Sequence, residues 1–401
     1  MTRPALELAD IFRRHGPAYR RKHRLPLHQL RLMRAIETCR TAALGGHVEQ
    51  CGHCQHTRIS YNSCRNRHCP KCQSLARAKW LAERKAELLP VEYFHVVFTI
   101  PEPLAAIAFH NKEVVYDILF RAAAQTLVTI ARDPKHLGAE IGFFGVLHTW
   151  GQNLLLHPHI HCVVPGGGLS LDGERWIGCR PGFFLPVRVL SRLFRRLFLE
   201  ALEKTFRRGR LRFFSELEAL ADPQAFARYL GPLRESAWVV YAKPPFGGSG
   251  QVLEYLGRYT HRVAISNQRL VALEGDQVSF RWKDYRQGGQ QKSKTMRLPA
   301  EEFLRRFLLH SLPAGFQRIR HYGRLANRHR RQHLELCRTL LAAPVSGLLP
   351  CPAQRPDYRD LVQTLAAGSL RRCPRCGLGT MVVIEMLPRA DRTAAQALDS
   401  S

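Results

Sequence analysis

Between Leu154 and Gly168 the chain reads LLLHPHIHCVVPGGG. Its histidines fall at alternate positions, His157, His159 and His161, inside an apolar run that ends in glycines. Successive residues of a strand face opposite sides, so His159 and His161 point the same way and His157 can join them. Two imidazoles one strand repeat apart can chelate a single divalent ion. His148 lies on the preceding predicted strand, IGFFGVLHTWG, giving His-x10-His-x-His overall. If those strands are antiparallel neighbours, His148 completes a three-histidine face; Gln152 and His157 are the alternatives for the third position. Imidazole suits manganese, zinc or nickel, whereas magnesium prefers oxygen. A three-ligand site keeps positions for a phosphate oxygen and water, and a metal there withdraws charge from phosphorus.

A nucleophile is offered by VLEYLGRYTHRVAI, where Tyr255 and Tyr259 stand four apart on a helix expected from Gln251 to about Thr260. That spacing puts both phenols on one face, with Cβ atoms roughly 5–6 Å apart. Arg258, His261 and Arg262 surround them with cationic donors suited to phosphate. A phenol of pKa about 10 is a poor nucleophile at neutral pH without nearby positive charge or metal, and here both are at hand. The plainer reading of such a pair is amphipathic packing.

A third group is sulfur. Cys51-x2-Cys54-x14-Cys69-x2-Cys72 has the spacing of a four-thiolate zinc ribbon, with Cys64 and His68 as spare ligands. The expectation is a structural zinc, in a block whose Arg65, Arg67 and Lys71 could also grip DNA. Cys373 and Cys376, in CPRCG, look like half of a second ribbon with no matching pair. Cys337 and Cys351 are too far apart to form a knuckle by themselves.

The elements that must position these groups are legible as patterns. YFHVVFTIP and SAWVVYAKPP read as strands, the latter delivering the tyrosine helix. Pro103 to Arg132 reads as one long helix or two, and Pro186 to Phe206 as an amphipathic helix with arginines outward. RLVALEGDQVSFRWKDY has a hairpin signature, with Phe280, Trp282 and Tyr285 read as core and base stacking as the alternative. GGSG is not followed by Gly-Lys-Ser/Thr, so it is no phosphate-binding loop, which speaks against an ATP-driven motor.

Composition bounds the partners. The 401 residues suffice for two or three domains, and 45% hydrophobic with 23% charged residues is a folded composition. A net charge of +29 calls for a polyanion, with nucleic acid first. The basic run Arg318 to His333 is a candidate for phosphate contact. Membrane is the rival, but the most apolar stretch, Ala105 to Ala131, is broken by His110, Lys112, Glu113, Asp117 and Arg121. No signal peptide is visible. The expectation is a cytoplasmic protein, in which clustered Cys-x-x-Cys pairs bind metal rather than form disulfides.

Taken together, HTWGQNLLLHPHIHCVVPGGG, YLGRYTHRVAISNQRL and CGHCQHTRISYNSCRNRHCPKC resemble the insertion sequence 91 family of rolling-circle transposases, over roughly Leu30 to Arg328. The resemblance implies an α+β fold with an HUH endonuclease core, named for its His-hydrophobic-His signature, and a central antiparallel sheet flanked by helices. It implies His159 and His161 as metal ligands and Tyr255 and Tyr259 as paired nucleophiles; His148 as third ligand is carried from the related conjugative relaxases. The implied activity nicks and rejoins single-stranded DNA at element ends, and at target DNA, through a 5′-phosphotyrosine, with magnesium or manganese at the histidines and zinc at the cysteines. A replication initiator or relaxase would share that chemistry, and a non-catalytic zinc regulator would lack it. The expected organisation is a helical and zinc-binding segment over 1–88, the catalytic domain over 89–310 and a basic C-terminal region over 311–401.

Overall fold

In a computed structural model, which describes residues 6–85, 87–243, 257, 263–283, 293–341 and 371–390, the fold is α+β, with antiparallel sheets flanked by helices. The chain begins with α1 (Leu8–Lys22), α2 (Leu27–Thr38), β1 (Gly46–Cys51), β2 (Thr57–Tyr61) and α3 (Pro70–Lys85). It continues through β3 (Tyr93–Thr99), α4 (Glu102–His110), α5 (Lys112–Arg132), β4 (Ala139–Glu140), β5 (Gly142–Trp150) and β6 (Leu156–Pro165). Then follow β7 (Gly167–Ser170), β8 (Trp176–Gly178), α6 (Val187–Arg207), α7 (Pro223–Glu235) and β9 (Val240–Lys243). The remainder is β10 (Leu270–Glu274), β11 (Gln277–Lys283), β12 (Ser293–Pro299), α8 (Ala300–Leu309), β13 (Ile319–Gly323), α9 (Arg330–Leu340) and β14 (Met381–Leu387).

The histidine-rich strand β6 is the centre of a five-stranded sheet ordered β13-β5-β6-β3-β9, with every neighbour antiparallel. The two-residue strand period sorts its side chains between two faces. Phe94, Val96 and Phe98 of β3, Phe143 and Leu147 of β5, and Ile160, Cys162 and Val164 of β6 share one core with α4 to α7. Phe94, Phe98, Phe143, Phe194 and Phe198 are essentially inaccessible there, and each such ring stabilises the fold by about 1.5–3 kcal/mol. By length and composition α5 could cross a membrane, but here it is a core helix, with Tyr116, Leu119, Phe120 and Leu127 buried against the sheet. On the opposite face, Tyr93, Phe144, Val146 and Val163 pack beneath Trp80 of α3. The histidines occupy that second face.

A second core joins distant parts of the chain. Leu8 and Phe12 of α1 and Met33 and Ile36 of α2 pack with Phe303 and Phe307 of α8 and Phe280 of β11. Phe12 and Phe307 meet edge to face, 5.4 Å between centroids. Phe280 is therefore core, as read from the sequence. Packing also runs across both expected segment boundaries, because β14 pairs antiparallel with β1, which pairs with β2.

Candidate active site and metal centres

His148 and His159 are direct cross-strand partners in the β5–β6 ladder, and His161 is two residues further along β6. Antiparallel pairing and period two thus gather three imidazoles, whose ligand nitrogens lie within 4.8 Å of one another. His148 and His161 are buried and His159 is half-buried, so the cluster is open on one side. Two of the rings are oriented through Nδ1. His159 Nδ1 lies 2.6 Å from the carbonyl oxygen of His157, so it donates there and Nε2 becomes the ligand atom. His161 Nδ1 lies 2.8 Å from Nε2 of buried His95 on β3, and the two rings stack with 5.0 Å between centroids. His148 stacks on Trp150 at 4.7 Å. This donor set, three nitrogens with one open side, fits a divalent ion.

Of the alternatives for the third position, His157 is not a member of the cluster. His157 is exposed, and the main-chain carbonyl of Gln152 accepts from Arg269. The reason is a β-bulge between His148/His159 and Trp150/Leu156, which breaks the alternation just before His157. Three residues from other elements hold the β5–β6 turn: Arg269 at the Gln152 carbonyl, Arg306 at the Asn153 carbonyl, and His310. His310, following α8, donates from Nε2 to the Leu154 carbonyl (3.0 Å) and accepts at Nδ1 from the Thr149 hydroxyl (3.2 Å). Burial pushes its pKa down to about 3, which keeps the ring neutral. Leu154 is fully buried at φ +62°, a left-handed conformation that His310 helps secure.

The cysteines divide differently from the expectation. Cys51, Cys54, Cys69 and Cys72 do not form one site; the structure splits them between two four-sulfur clusters. The first is Cys39, Cys64, Cys69 and Cys72, with Cys39–Cys72 and Cys64–Cys72 both at 3.5 Å. Hydrogen bonds from the other three sulfurs hold the Cys72 thiol far below its ordinary value. The second is Cys51, Cys54, Cys373 and Cys376. The cause is the β1–β2 hairpin: Cys51 and Cys54 sit at its tip, whereas Cys39 and Cys64 flank its base, where Arg40 N–H donates to the Asn62 carbonyl. Five strand residues at about 3.3 Å each put roughly 17 Å between those ends, beyond any shared ion. Of the two spare ligands, Cys64 joins a cluster. His68 does not; its Nε2 accepts from the Leu312 N–H.

Several cations read as DNA contacts turn inward. Lys71 forms a buried ion pair with Glu7, and Arg67 donates to the Phe316 and Pro313 carbonyls. In the run Arg318 to His333, Arg318 is buried and donates to Gln73 Oε1. Arg320 pairs with Asp117 over the rings of Phe120 and Phe316, and Arg324 pairs with Glu140. Arg65 and Arg328 remain exposed.

Tyr255, Tyr259, Arg258, His261 and Arg262 lie outside the described residues. The described positions on either side border the histidine face: the backbone of Lys243 pairs with His95, and Ala264 and Ile265 share a core with Trp150. Sequence reading missed three residues. His95 was visible as the one imidazole in YFHVVFT, Cys39 as a lone thiol before the block, and His310 carried no local signal.

The family model described as "Transposase zinc-binding domain" matches residues 11–100, and that described as "Putative transposase" matches residues 142–333. "Putative transposase y4qJ" of Sinorhizobium fredii (strain NBRC 101917 / NGR234) is 64% identical over 388 residues, 96% of each chain. The chain belongs to the insertion sequence 91 family of transposases. "Transposase for insertion sequence element IS801" of Pseudomonas savastanoi pv. phaseolicola is 28% identical over 355 residues, covering 84% of this transposase and 79% of that one. As a transposase it is an enzyme of DNA cleavage and strand transfer with DNA as its partner, and it carries a zinc-binding domain. The zinc-binding match contains His95 and all four sulfurs of the first cluster, and the second match contains His148, His159 and His161.

Proposed function

We propose that this transposase nicks and rejoins single-stranded DNA at the ends of its insertion sequence, at the histidine face, through a 5′-phosphotyrosine. The observation that carries the reading is the convergence of His148, His159 and His161 on one sheet face with one side open. A divalent ion bound there, magnesium or manganese, supplies Lewis acidity toward a phosphodiester oxygen. Imidazole ligands favour manganese of the two. His159 and His161 would bind through Nε2, each held by the hydrogen bond at its Nδ1. His95 is then a positioning residue: its Nε2 accepts the His161 Nδ1–H, fixing that tautomer and ring plane.

The phenol of Tyr255 or Tyr259 attacks phosphorus. One O–P bond forms, the bond to the departing 3′ oxygen breaks, and the phenolic proton is released so that the leaving strand ends as a 3′-OH. The phosphodiester energy is retained in the tyrosyl link, so a 3′-OH can reverse the step without ATP. Two phenols let one site hold one cleaved end while cutting another. Arg258, His261 and Arg262 are the proposed phosphate contacts.

The test is a denaturation-resistant adduct between the purified protein and labelled single-stranded DNA bearing the element's ends, with magnesium or manganese. The adduct should form in the parent, vanish with EDTA and vanish in Tyr255→Phe/Tyr259→Phe. Tight DNA binding by a folded parent that yields no adduct would overturn this chemistry and favour a non-catalytic role.

A further inference from the structure

The first cysteine cluster falls wholly inside the matched zinc-binding domain, but the second does not: Cys373 and Cys376 come from far beyond residue 100. Cys51 and Cys54, at the tip of the β1–β2 hairpin, meet Cys373 and Cys376 in the loop that precedes β14. We propose that these four cysteines bind a second zinc ion, which clasps the C-terminal strand to the zinc-binding domain.

Four features of the site converge. The Cys51–Cys376 and Cys54–Cys373 sulfurs are 3.8 and 3.6 Å apart. A tetrahedron with Zn–S bonds of about 2.3 Å has edges of about 3.8 Å, whereas a disulfide requires about 2.05 Å. Both knuckles also aim backbone N–H groups at sulfur in the way that stabilises thiolates. His53 and Cys54 N–H donate to Cys51 Sγ, Arg375 N–H to Cys373 Sγ and Gly379 N–H to Cys376 Sγ, all at 3.4 Å. The two loops approach so closely that a Cβ on Gly379 would lie 2.4 Å from Cys51 Sγ, so this position is restricted to glycine.

The fourth feature is how small the apolar packing is, among the described residues, beside the β1–β14 ladder. Among the described residues, the cluster at this end of the sheet has Cys51, Cys373 and Met381 buried and Cys54 and Cys376 partly buried. Along β14, Val382, Ile384 and Met386 are 56%, 55% and 71% exposed. A three-stranded sheet with so little core is marginal by itself, and small units of this kind are held by metal or disulfide. With the zinc in place β1 is a central strand; without β14 it becomes an open edge.

The proposal is independent of the nicking chemistry and is tested apart from it. Zinc is counted by mass spectrometry in the full-length chain carrying His159→Ala and His161→Ala, so that the histidine face contributes no metal. Two zinc ions per chain are expected, and one after adding Cys373→Ser and Cys376→Ser. In that variant, amide hydrogen exchange should speed up across Met381–Leu387 and leave Tyr93–Thr99 protected. One zinc before the serine substitutions, or two after them, overturns the proposal. Should the serine variant not fold, cadmium NMR of the unmutated, cadmium-loaded protein decides: two tetrathiolate signals support the clasp and one sinks it. Metal-free disulfides at these cysteines would also sink it.

Discussion

The histidine face and the cysteine clusters are both groups of converging ligands, yet they are assembled in opposite ways. The histidine face is drawn from one antiparallel pair, β5 and β6, and its three members are set by pairing and strand period alone. The β1–β2 hairpin holds the two cysteine clusters at its opposite ends, and the second gathers its sulfurs from across most of the chain. Their chemistry differs in parallel. Four thiolates close a coordination shell and make a fastening, whereas three imidazoles with an open side keep room for a substrate oxygen. The comparison teaches that in this transposase the proposed reactive site is built from local pairing and the proposed fastenings from contacts between more distant parts of the chain.

The sharpest way to break that division is to remove a thiolate from the closed cluster. Cys39→Ser should lose one zinc and unravel the packing of α1 and α2, since a structural zinc is worth on the order of 10 kcal/mol at neutral pH. A Cys39→Ser chain that melts with the parent and keeps its zinc would show that this cluster is not a fastening. His161→Ala should do the reverse. Melting and cysteine-bound zinc should stay near the parent's, while adduct formation falls on the order of 1000-fold, the several kcal/mol expected of a Lewis acid. Retained cleavage would remove the histidine face from the chemistry.

A smaller effect separates positioning from ligation. His95→Ala should weaken manganese activation roughly 10–100-fold, and His95→Gln, which keeps an acceptor, should restore part of it. Titrating manganese against the cleavage rate checks this, because a merely structural defect would lower the maximal rate without shifting the midpoint. The smallest effect concerns the turn. His310 is neutral in the folded protein with its pKa pushed down to about 3 by burial, whereas unfolded histidine titrates near 6.5. The unfolded chain therefore binds the proton first. Stability is whole above about pH 6.5 and declines toward pH 3, by about 2 kcal/mol at pH 5. Denaturant melts at pH 7 and pH 5 should show this loss in the parent and a smaller one in His310→Gln; equal losses would discard the assignment.

Much of this was legible in the residues. The alternation of His159 and His161, the strand carrying His148 and the helix Pro186 to Phe206 were readable because strand and helix periods act over a few neighbours. His95 and His310 were not, because an isolated imidazole carries no periodic signal and acts here only through contacts between separate elements. Charge was legible in amount but not in use. The sequence shows +29, while Lys71, Arg67, Arg318 and Arg320 are committed to carboxylates, carbonyls and rings inside the protein.

The sequence by itself determined most of the residues that could bind metal, passing over Cys39, and it paired His159 with His161 by strand period while leaving His148, Gln152 and His157 as alternatives for the third position. The grouping of the cysteines was decided only by the tertiary structure. Cys-x-x-Cys fixes a knuckle, since both sulfurs sit on one tight turn, but it does not choose the second knuckle. That choice depends on where the ends of β1, β2 and β14 fall in space, and a hairpin about 17 Å long outweighs closeness in sequence.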